Sequence, residues 1–194
     1  MEKLTRENLL SLEAYDGVRD EFRSNVIGHK RDRRLALGTN ATLYFEDTLT
    51  MQYQVQEMLR IERIFQADGI EEELDAYNPL IPDGTNWKAT FMLEFPNESE
   101  RRAMLARLVG VELKVWMQVG DLEKILPVAD EDLERADESK TSAVHFLRFE
   151  LSAEMIAAAK NDASIAMGID HPEYRHEVSS LPATVRQALA GDLH

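Results

Sequence analysis

The chain has 194 residues, 44% hydrophobic and 30% charged, with 36 acidic side chains against 22 Lys and Arg, a formal net charge of -14 and no cysteine. A chain of this size buries roughly 70% of its unfolded surface and needs no staple; without thiols it makes no disulfide, thiolate zinc site, cysteine-ligated iron–sulfur cluster or thiol nucleophile. The negative charge argues against nucleic acid as a partner, because phosphate neutralisation needs clustered cations.

No stretch nears the roughly 20 apolar residues that span a bilayer, and the start, Met1 to Glu7, lacks the apolar core of a signal sequence. A cytoplasmic protein without membrane contact is the expectation. Thr5 is a candidate N-cap, Leu9, Leu10 and Leu12 give an apolar side, and Asp16-Gly17 breaks the run, which predicts two helices. In the second, Val18, Phe22, Val26 and His29 recur every three or four residues and share one face. Residues 1–34 hold eight basic and seven acidic groups, so the negative charge lies almost wholly beyond Arg34. This N-terminal helical part is expected to pack as a layer of its own.

Leu35 to Gly38 and Ala41 to Glu46 read as a hairpin turning at Thr39-Asn40. Asp47 or Thr48 caps the longest helical pattern, Leu49 to Asp68, with Gly69 placed as its stop. A shorter helix, Glu71 to Tyr77, ends before Pro79, and Asn78 to Gly84, with two prolines and a glycine, is a rigid loop. Trp87 to Phe95 alternates apolar and polar residues as a half-buried strand does, followed by a helix over Ser99 to Leu108. Val111 to Val119 and Val144 to Leu151 alternate likewise, on either side of the acidic segment Asp130 to Glu138, which reads as an exposed face or a partner-docking surface. Ser152 caps a helix over Ala153 to Lys160, Ser164 to Met167 is a further strand, and Pro182 to Leu189 is a terminal helix. Strands and helices do not alternate regularly, so the class is α+β: a largely antiparallel sheet packed against one long helix and several shorter ones, in a single domain 1–194.

No phosphate loop, nucleophile elbow, zinc helix or calcium loop is present. Three residues break the pattern of their elements. His29 lies on the apolar stripe of the second helix, His145 on the apolar face of a strand, and Glu62 near the centre of the long helix's apolar arc of Met51, Val55, Met58, Leu59, Ile61 and Phe65. A carboxylate buried without a partner costs several kcal/mol, so Glu62 is paired, protonated, metal-bound or at a cavity mouth. If His29, Glu62 and His145 converge, they form a facial triad suited to iron or another divalent metal. The plain alternative is a salt bridge at Glu62 and core histidines satisfied by backbone or carboxylate. Glu173 and His176 have the i, i+3 spacing of di-iron bundles but occur once, and Asp170-His171-Pro172 reads as a turn with Pro172 starting a short helix. The basic run His29 to Arg34 is a solvated helix end, and Trp87 and Trp116 are core or pocket-wall residues.

Three blocks, Leu49 to Met58, Asn78 to Phe91 and Lys140 to Glu150, resemble an uncharacterised prokaryotic family, domain of unknown function 3501, and the similarity runs from Leu4 to about Tyr174. Members of that family are typically encoded beside rubrerythrin and a cysteine-rich iron–sulfur oxidoreductase. The resemblance implies an accessory, partner-binding role near peroxide detoxification or electron transfer, with those two proteins as partners. The alternative is a non-haem, His/carboxylate metal enzyme acting on a small molecule.

Overall fold

The computed structural model describes residues 2–131 and 139–194. It is an α+β structure with two sheets, every strand pair antiparallel. Helix α1 (Leu12–Arg31) leads into the hairpin β1 (Arg34–Ala36) and β2 (Ala41–Phe45), then α2 (Thr48–Glu62) and α3 (Ala67–Tyr77). Next come β3 (Asn86–Leu93), α4 (Glu98–Arg107), β4 (Val115–Val119), the two-residue β5 (Val128–Ala129) and β6 (Val144–Glu150). The chain closes with α5 (Ala153–Lys160), the hairpin β7 (Ile165–His171) and β8 (Tyr174–Val178), and α6 (Ala183–Gly191). The larger sheet has the order β1-β2-β3-β6-β5 and the smaller one β4-β7-β8.

Alternation in β3 and β6 decides what each face of the larger sheet meets. Trp87, Ala89, Phe91 and Leu93 point one way with Leu147 and Phe149, into a core shared with Val115, Met117, Ile165 and Met167 of the smaller sheet and with α5 and α6. The indole N–H of Trp87 donates to the Leu189 carbonyl at 2.8 Å, fastening α6 onto the sheet. The alternate residues Lys88, Thr90, Phe146 and Arg148 face the opposite way. A second, smaller core gathers Met51, Val55 and Leu59 of α2 with Leu4, Leu74 and Ile81.

Several element boundaries depart from the sequence pattern. The chain crosses Asp16-Gly17 without a break: α1 is one helix, capped by Ser11, whose hydroxyl accepts from the Ala14 N–H. A lone glycine costs a helix only about 1 kcal/mol, and Arg19, bound to Glu57 of α2, ties down the turn that follows. The long helix ends at Glu62 because Arg63 turns left-handed (φ 56°), and Gly69 falls inside α3. Val111–Lys114 is a 3-10 turn, so β4 starts at Val115. Pro172 starts no helix; Pro172-Glu173 is the two-residue turn of the β7–β8 hairpin. No helix among the described residues is long and apolar enough to cross a membrane.

Candidate functional site

The three residues singled out as a metal set lie in different surroundings. His29 sits in the last turn of α1, with Nε2 2.5 Å from Asp47 Oδ2. Asp47 caps α2, its Oδ1 accepting from the Thr50 N–H at 2.8 Å, and Arg33 Nε lies 3.2 Å from its Oδ2. The buried Arg33 also binds Asp192, just past α6. Burial pushes the Asp192 carboxyl up to about 7, with the charge of Asp47 adding to the rise and Arg33 opposing it. His29 is therefore the half-exposed member of a corner formed by α1, β1, α2 and α6.

His145 is fully buried in β6. Its Nδ1 lies 2.6 Å from Asp130 Oδ2, and its Nε2 lies 2.8 Å from Thr141 Oγ1 and 3.1 Å from the Ser142 carbonyl. The order Asp, His, Thr resembles a nucleophile relay. Thr141 is only 2% exposed and its hydroxyl also donates to Glu112, so this triad works as an internal brace between β6 and the loops beside it. Asp130 completes the brace by accepting from the Phe146 N–H at 2.9 Å.

Glu62 does not occupy an apolar arc. It is exposed at the end of α2, beyond which the left-handed turn leaves Ile61 and Phe65 facing solvent, where a continued helix would have carried them onward. Its negative charge reaches Glu73, whose pKa is raised by burial and then by Glu62 and Glu72. Gln56, also on α2, is buried and pairs its amide with the backbone N–H and carbonyl of Leu10. Among the described residues no group of three His, Asp or Glu side chains could hold a metal ion, so the facial triad does not form. Glu173 and His176 lie on a hairpin: Glu173 pairs with Arg107, and the His176 ring packs tilted against Tyr174. Of the acidic segment, Asp130 and Glu131 are described and engaged; residues 132–138 lie outside the described residues.

Two concavities stand out. The first is a cavity of about 70 Å³ between the Pro79-Leu80 turn and the outward face of the larger sheet, and none of His29, Glu62 and His145 lines it. Its polar walls are Glu46, Lys88, Glu131 and Arg148. Lys88 donates to the carbonyls of Pro79 at 2.6 Å and Ile81 at 3.0 Å, and burial lowers its pKa against the opposing charge of Asp83. Arg148 forms a two-pronged pair with Glu131, 2.7 Å on each prong, which holds the Glu131 carboxyl below its usual range. Strand alternation alone puts Lys88 and Arg148 on one face; the signal that was missed is their register, directly opposite each other in the β3–β6 pair.

The second concavity is an apolar groove of about 660 Å³ between the segment Arg6 to Leu12 and the α2–α3 corner, walled by Leu9, Leu10, Leu59, Ile64, Phe65 and Ile70. Phe65 is 70% exposed and Ile61, four residues earlier, 58%.

Comparison with known proteins adds kinship without chemistry. No match is found among curated proteins. A crystal structure of a novel protein of unknown function from Burkholderia pseudomallei K96243 is 51% identical, covers 100% of both chains and superposes with a TM-score of 0.95. The family model described as "Protein of unknown function (DUF3501)" matches residues 3–193. With nearly every residue matched, the chain belongs to this family of unknown function.

Proposed function

We propose that the protein is a partner-binding accessory factor of a cytoplasmic, rubrerythrin-linked oxidative-stress or electron-transfer system. The observation that carries this reading is the apolar groove at the α2–α3 corner with Phe65 standing in solvent beside it. Covering one such side chain is worth about 1.5–3 kcal/mol, and aromatic anchors at the centre of a groove dominate the energetics of most interfaces. The partners follow from the gene neighbourhood implied by the family resemblance: rubrerythrin and an iron–sulfur oxidoreductase. A chain with no cysteine that serves such a system works through its partner's cofactor.

Affinity capture from the native host tests this. Rubrerythrin or the oxidoreductase is recovered with the parent protein, and Phe65→Asp weakens the recovered complex by about tenfold or more, the loss expected of an interface anchor. The ring is exposed, so the variant keeps its helical circular dichroism. Repeated failure to recover either protein refutes the reading, as does capture indifferent to Phe65→Asp.

A further inference from the structure

The outward face of the larger sheet carries one charge that the fold does not match. Cross-strand pairing brings Glu46, whose N–H donates to the Lys88 carbonyl at 2.9 Å, beside Lys88, Thr90, Phe146 and Arg148. The two cations are already engaged. Lys88 gives two hydrogen bonds to backbone carbonyls, and Arg148 is held by Glu131 and Glu150. Glu46 differs. It is 5% exposed, and its two oxygens accept from neutral hydroxyls, Thr50 Oγ1 and Thr90 Oγ1, each at 2.6 Å. Among the described residues no ion pair involves its carboxylate; the buried Arg33 donates to the Glu46 main-chain carbonyl and pairs with Asp47 instead. Hydroxyl donors return only part of the hydration a carboxylate loses on burial, so the group stays without an ionic partner.

That carboxylate lines the 70 Å³ cavity, whose remaining walls include Pro79, Leu80, Ala89, Phe146 and Leu147. At roughly 30 Å³ per water molecule, the space suits a fragment of a few heavy atoms. Lys88 and Arg148 also line this chamber, but their charges are already engaged by backbone carbonyls and by Glu131 and Glu150, so the Glu46 carboxylate beside the apolar walls is complementary to a short alkyl chain ending in an ammonium group. An anion would face Glu46 and Glu131 and would have to compete with the carbonyls on Lys88 and the carboxylates on Arg148, and a neutral alcohol would leave Glu46 without an ionic partner.

We infer that this cavity binds the ammonium end of a small aliphatic amine, with Glu46 as its counter-ion and Leu80 and Phe146 as its apolar walls. The site is separate from the groove at the α2–α3 corner, and neither assignment depends on the other.

Nuclear magnetic resonance titration of the full chain with propylammonium chloride, sodium propionate and 1-propanol tests it. Propylammonium shifts the amide signals of Leu80, Ala89 and Phe146 with a Kd tighter than about 10 mM, and binds about tenfold or more tighter than the other two. Glu46→Gln weakens that binding about tenfold or more, the scale of a lost charge-assisted contact. Because Glu46 also holds Thr50 and Thr90, Leu80→Trp serves as the second variant: it fills the cavity, leaves the carboxylate untouched and abolishes the shifts. Equal binding of propionate or propanol overturns the inference. So does propylammonium binding that survives both substitutions, or the absence of any shift with the parent protein.

Discussion

Replacing Asp192 with asparagine asks which effect wins at the corner where α1, β1, α2 and α6 meet. The carboxylate is 7% exposed and faces Arg33, with Asp47 and, through it, His29 close by. Burial raises its pKa from 3.8 to about 7 in spite of the arginine, so desolvation outweighs the ion pair. Between those values the folded protein binds a proton that the unfolded chain does not. The group's contribution to stability is thus fully present below about pH 3.8 and is lost as pH rises through about 7. At about 1.4 kcal/mol for each tenfold change in proton affinity, the loss is on the order of 4 kcal/mol by pH 8. Asparagine mimics the protonated acid and never charges. Asp192→Asn is therefore nearly neutral around pH 4 and increasingly stabilising toward pH 8, while Arg33 keeps Asp47 as its partner. Urea unfolding of both proteins across this range isolates the effect, since every other titrating group cancels in the difference. A variant less stable than the parent at pH 8, with a difference that does not change with pH, would show that the ion pair with Arg33 outweighs the desolvation of Asp192.

Glu57 is the opposite case: hydrogen bonds from Arg19 first, then Tyr15 and Arg60, hold its pKa down to about 2 against burial. Its contribution is present above about pH 4.5 and fades as pH falls toward 2, so Glu57→Gln costs about 1.5–3 kcal/mol near neutrality and flattens the acid limb of a pH–stability curve. Gly168 lies in β7 where an added Cβ would come within 2.5 Å of the Trp116 ring and 2.7 Å of the His176 carbonyl. Gly168→Ala therefore costs about 2–3 kcal/mol in urea unfolding and alters tryptophan fluorescence; an unchanged spectrum and midpoint would contradict that packing.

The strands were legible because their signal is local. Trp87 to Leu93 and Val144 to Glu150 carry the two-residue alternation of a half-buried sheet, and the structure puts both at the centre of the larger sheet. Helix boundaries were less so, because they turn on tertiary anchors: Arg19 reaching Glu57 carries α1 past Gly17, and the left-handed Arg63 breaks a pattern whose spacing runs on to Asp68. That early break is also why the periodicity places Glu62 in an apolar arc that the folded chain does not have. His29 and His145 stand out in the sequence as polar residues on apolar faces, yet their partners Asp47 and Asp130 lie 18 and 15 residues away, and no periodicity specifies such pairings. The cavity was harder still, since it needs the register of β3 against β6 and the return of Pro79 over both.

The C-terminal helix has a kinetic consequence. The Leu189 carbonyl, Asp192 and the His194 N–H reach back to Trp87, Arg33 and Gly84 respectively, segments synthesised some hundred residues earlier. Contacts this distant along the chain are costly to close and form late. A nascent chain still lacking residues 183–194 has Trp87 with no acceptor for its indole and an apolar sheet face without Val185, Leu189 and Leu193 to cover it. Residues 183–194 therefore act as a latch, and the interval before it closes is when the chain is most exposed to aggregation and proteolysis.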